Sequence, residues 1–106
     1  MTVYKYRYLY DDHKCADIEA MNAANVPFEL TSDGAILLDQ RHKPFFAKLR
    51  AKWQLKHCKG INIYIDHKLY SVEGEPLITD PGVVERIYTQ VMEQSPNVDL
   101  YTTTVI

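Results

Sequence analysis

A chain of 106 residues, 46% hydrophobic and 25% charged, has the length and balance of a single small globular domain spanning residues 1–106. That excludes a disordered, collagen-like or low-complexity polypeptide. Twelve Lys and Arg against fourteen Asp and Glu leave a net charge of −2, so nucleic acid and anionic membrane gain no global attraction. No apolar run approaches the roughly 20 residues that span a bilayer, and no signal-peptide stretch is present, so a cytoplasmic protein without a membrane partner is expected.

Residues 3–10 alternate as an extended strand, with Tyr4, Tyr6, Tyr8 and Tyr10 on one face and Val3, Lys5, Arg7 and Leu9 on the other. Asp11 and Asp12 offer an N-cap to a helix carrying Cys15, Ile18 and Met21, which Asn25, Val26 and Pro27 stop. Phe28 to Leu30 reads as a brief strand, Thr31 to Gly34 as a turn, and Ala35 to Leu38 as a short apolar run of either type. Pro44 suits the first position of a second helix, in which Phe45, Phe46, Leu49 and Trp53 share a sector beside Lys48, Lys52 and Lys59, with Gly60 as its stop.

Ile61, Ile63 and Ile65 then alternate with Asn62, Tyr64 and Asp66, and Asp66-His67 turns the chain into an antiparallel partner over residues 68–72. Asp80-Pro81 opens a third helix with Val83, Val84, Ile87, Tyr88 and Val91 as its buried stripe. Ser95-Pro96-Asn97 ends it, and residues 98–106 alternate as a last strand.

Several residue types bear on chemistry. Cys15 and Cys58 are too few for a disulfide scaffold and lack neighbours for a four-ligand zinc site. His13, His42, His57 and His67 show no metal-ligand spacing, so no bound metal is expected. Arg41, Lys43, Lys48, Arg50, Lys52, Lys56 and Lys59 make the middle of the chain locally basic, but Phe45, Phe46 and Trp53 stand at core spacing and offer no stacking platform. A solvated helix face is the expectation, and nucleic acid is not an expected partner.

The order strand, helix, strand, helix, strand, strand, helix is that of the thioredoxin-like fold. Three local features sharpen the likeness: Asp12-His13-Lys14-Cys15 after a Tyr-rich strand, Val26-Pro27-Phe28-Glu29 entering the second strand, and Ile63-Tyr64-Ile65-Asp66-His67-Lys68-Leu69. On these the chain resembles a glutaredoxin, of the compact kind found in phages. The resemblance implies an α/β, three-layer βαβαββα fold with a mixed central sheet, here with an extra C-terminal strand.

It also implies thiol-disulfide exchange. Cys15 would be the reactive thiol at a helix N-terminus, with His13, Lys14 and Ile61 beside glutathione as co-substrate, and glutathione or a protein disulfide as partner. Ile18 stands where a second cysteine would be, so the chemistry is monothiol at most. In this fold Cys58, three residues before Ile61, approaches Cys15 and would be a resolving thiol if their Cα atoms came within about 7 Å. The family's cis-proline has no counterpart at Gly60-Ile61, so a trans bond is expected there. Two other readings stand beside this one. One is a catalytically silent module of the same fold gripping a protein partner. The other is a ferredoxin-like sheet in which residues 35–38 form a full strand paired with the one at Phe28.

Overall fold

The computed structural model describes residues 3–70, 74–94 and 100–105. The expected extension of a strand to Val72, the helix stop at Ser95-Pro96-Asn97, and the strand positions Val98 and Ile106 lie outside the described residues. The chain forms two compact units, Met1–Lys43 and Pro44–Ile106.

The first unit contains β1 (Val3–Tyr6), α1 (Asp11–Ala23), β2 (Glu29–Leu30), β3 (Ile36–Asp39) and a 3-10 turn at Gln40–His42. Its strands make one antiparallel sheet in the order β1-β3-β2. β3 pairs Tyr4 with Leu38 and Tyr6 with Ile36 on one face, and Val3 with Asp39 and Lys5 with Leu37 on the other. The first face is the buried one, since Ile36 and Leu38 are sealed, as are Met21 of α1, Val26 and Ala35. The Tyr8 hydroxyl donates to Asp17 Oδ2 at 2.8 Å, which gives the one charged residue on the buried side of α1 an acceptor role.

A tight turn joins β2 to β3. The Gly34 amide donates to the Thr31 carbonyl at 3.0 Å, the Thr31 amide to the Ala35 carbonyl at 2.9 Å, and Gly34 adopts φ +86°, a conformation glycine enters without steric cost. The Asp33 carboxylate leaves this turn to accept from Thr31 and Arg7 and to pair with Lys5 Nζ at 3.6 Å, tying the turn to the β1 end of the sheet.

The second unit contains nearly all of α2 (Lys43–Leu55), with β4 (Gly60–Ile65), β5 (Lys68–Tyr70), α3 (Pro81–Gln94) and β6 (Leu100–Val105). A separate antiparallel sheet has the order β5-β4-β6. Its core joins Ala51 of α2, Ile61 and Ile63 of β4, Ile78, and Val84, Ile87 and Tyr88 of α3. The β4–β5 turn places Asp66 and His67 at φ 50° and 66°, the primed-turn geometry that matches strand twist. Gly60 is required by close approach, because a Cβ there would lie 2.5 Å from Leu77 Cδ1 and 3.1 Å from the Ile78 carbonyl oxygen.

The thioredoxin-like arrangement is therefore corrected. The α/β class holds, but two separate three-stranded antiparallel sheets replace the single mixed sheet. The decisive element is the apolar run at Ala35 to Leu38, which forms β3 and takes the central place beside β1 that a parallel second strand would occupy. A turn of only a few residues between β2 and β3 permits antiparallel pairing alone, whereas a parallel neighbour needs a crossover of a dozen or more. β1 is in consequence an edge strand rather than a central one.

Candidate functional site

Cys15 is the fifth residue of α1 and is exposed, not part of its buried stripe. The first bond of the helical ladder runs from the Lys14 amide to the Tyr10 carbonyl at 3.3 Å. The amides left without an intrahelical acceptor thus belong to Asp11, Asp12 and His13, one turn before the thiol. No side chain caps the helix, and Asp11 and Asp12 lie in its first turn rather than at the cap. His13 and Lys14 are half-buried, and His13 packs its ring against Tyr10 at 5.1 Å.

Cys58 and Ile61 belong to the second unit. Both cysteines are free, and Cys58 is half-buried after α2. Ile61 is fully sealed, and its amide and carbonyl bond the carbonyl and amide of Ile78, each at 2.9 Å. Those main-chain groups are committed to the protein's own chain. The Gly60–Ile61 bond is trans. Among the described residues, no group of three or more His, Cys, Asp or Glu side chains is placed to hold a metal ion. No helix among them is long and apolar enough to cross a membrane.

A different site is built on the other face of the first sheet. The register places Val3, Lys5, Leu37, Glu29 and Asp39 on that face. Val3, Leu37, Leu38, Pro27 and Phe28 line a groove of about 370 Å³, with Glu29, Asp39 and Arg41 as its polar members. Val3 keeps 54% of its surface exposed although it lies on a β-strand, and Phe28 and Leu37 are half-buried.

The polar rim is partly fixed. Asp39 accepts from the Arg41 amide at 3.0 Å, which holds its carboxylate, while the exposed Arg41 side chain brings its Nε to 3.9 Å. Glu29 is exposed and also lines the groove. An open, largely apolar groove rimmed by Glu29, Asp39 and Arg41 is suited to bind, but among the described residues it offers no nucleophile and base in contact.

Sequence reasoning passed over these residues. Leu37 sat in an ambiguous apolar run, and Val3 was set on one strand face with Lys5, Arg7 and Leu9. Ile36, Leu37 and Leu38 are all apolar and carry no alternation of their own; the strand geometry of β3 sends Ile36 and Leu38 inward and Leu37 to the other face. Compared with protein-family models, curated proteins and solved structures, the chain gives no significant match.

Proposed function

We propose that this protein is a small, non-catalytic binding module that takes an extended segment of a protein partner on the open face of the β1-β3-β2 sheet. The observation that carries the reading is the groove at Val3, Phe28 and Leu37, an apolar floor left uncovered beside charged rims. Apolar surface that a domain leaves exposed in a concave patch, with polar residues around it, is characteristic of recognition sites. Glu29 on the rim favours a segment whose apolar anchor is flanked by Lys or Arg, since charge complementarity sets register and excludes wrong partners.

Panning a random peptide library against the intact protein tests this. The expected result is enrichment of peptides with an apolar residue beside a Lys or Arg, whose affinity falls by roughly tenfold or more on Leu37→Glu and on Val3→Glu. Failure to enrich any peptide, or peptides that bind both variants as well as the wild type, overturns it.

A second reading, monothiol exchange at Cys15, is favoured by the exposure of that thiol beside His13 and Lys14. Its thiolate would attack the glutathionyl sulfur of a mixed disulfide, releasing the substrate thiol. A second glutathione thiolate would then free Cys15 and leave as glutathione disulfide. Glutathione-dependent reduction of a small mixed disulfide by wild type, absent in Cys15→Ser, would support exchange. No turnover above the uncatalysed rate would exclude it.

A further inference from the structure

Four strands lie at sheet edges among the described residues: β1, β2, β5 and β6. An edge strand presents unpaired main-chain N–H and C=O groups, and proteins guard such edges by shortness or by charge. β1, β2 and β5 follow that rule, with four, two and three residues and with Lys5, Glu29 and Lys68 respectively. β6 breaks it. Its six residues, Leu-Tyr-Thr-Thr-Thr-Val, form the longest of these edges and include no charged residue, no proline and no glycine.

β4 occupies one side of β6 along its whole length, from Gly60 opposite Val105 to Ile65 opposite Leu100. In an antiparallel ladder alternate residues aim their main-chain groups to opposite sides, so about half of those in β6 face away from β4. The geometry points to a second copy of this chain as the occupant of that edge, in an antiparallel β6-to-β6 pairing about a two-fold axis perpendicular to the sheet.

Two features choose a second copy over another partner. A two-fold pairing sets each strand against its own sequence, so a charged edge such as β1 or β5 would bring like charges together, while β6 meets only neutral residues. The run Thr102-Thr103-Thr104 also makes the strand self-complementary. With the axis at Thr103, threonine opposes threonine at every position of that run. A perpendicular axis keeps the core faces of both sheets on the same side, giving one six-stranded sheet of order β5-β4-β6-β6-β4-β5.

Thr103 is exposed, opposite Asn62 on the face of the sheet away from Ile61 and Ile63, so a charge placed there leaves the core untouched. Sedimentation equilibrium over a concentration series provides the test, with circular dichroism confirming that each variant is folded. Wild type is expected to approach twice the 12.3 kDa chain mass. Thr103→Lys and Thr103→Glu each weaken self-association by roughly tenfold or more. An equimolar mixture of the two variants recovers wild-type association, because lysine then faces glutamate across the axis. Wild type that stays monomeric at millimolar concentration, or a dimer indifferent to both substitutions, overturns the proposal. So does a mixture that associates no better than its components.

Discussion

The Tyr8 hydroxyl donates to Asp17 Oδ2 at 2.8 Å, and Asp17, on the core side of α1, keeps only 2% of its surface exposed. The bond joins the chain after β1 to the helix that follows it and gives a buried carboxylate one of its partners.

Tyr8→Phe keeps the ring and removes that donor from the buried carboxylate. A loss of about 1–3 kcal/mol in unfolding free energy is expected, measured by urea denaturation. A loss within experimental error would mean that the bond carries no net stability.

Asp33 makes acid sensitivity predictable. The Thr31 hydroxyl that donates to it, together with the Lys5 and Arg7 charges and the Ala35 amide, holds its carboxyl at about 2 against an ordinary 3.8. The folded state thus favours the ionised form. The resulting stabilisation is complete above 3.8 and disappears as pH falls from there toward 2. Wild type should therefore have a higher thermal midpoint than Asp33→Asn near neutral pH, with the gap closing across that acidic interval. A gap of constant size down to the lower limit would contradict the assignment.

Gly60 faces a wall rather than open space. A methyl group there meets Leu77 at 2.5 and 2.6 Å and the Ile78 carbonyl oxygen at 3.1 Å. Gly60→Ala must turn the Leu77 side chain aside and press on the carbonyl of Ile78, the residue that bonds Ile61, and overpacking of this kind costs about 1–3 kcal/mol. Leu9→Ala, at a residue 90% exposed, serves as the contrast and should change stability by less than about 0.5 kcal/mol. Equal effects of the two substitutions would sink this account.

Cys15 is free and exposed on α1. Cys15→Ser should leave the unfolding free energy within about 0.5 kcal/mol of wild type, and a thiol reagent should label Cys15 in the folded protein without denaturant. Protection from labelling until unfolding would place the thiol in the interior instead.

Local pattern was enough to find nearly every element. Alternation marks a strand and the 3.6-residue period marks a helix whichever neighbours a segment later acquires, so α1, α2, α3, the β4–β5 hairpin and β6 were legible from residues within one or two turns of each other. The turn at Asp66-His67 was legible for the same reason, and so was Gly34 in its turn.

What the amino-acid sequence could not decide alone was which strands meet. Pairing β1 with β3 joins Tyr4 to Leu38 and Tyr6 to Ile36 across thirty or more positions, and no local periodicity encodes a neighbour at that distance. The apolar run at Ala35 to Leu38 reads alike as loop, strand or helix until β1 and β2 flank it. Once they do, Leu37 turns outward into the groove, β1 becomes an edge, and Cys15 rides on a helix above an antiparallel sheet. Composition and spacing determined the parts. Burial of Ile36 and Leu38, satisfied only when hydrogen-bonded strands close on both sides of β3, determined their assembly.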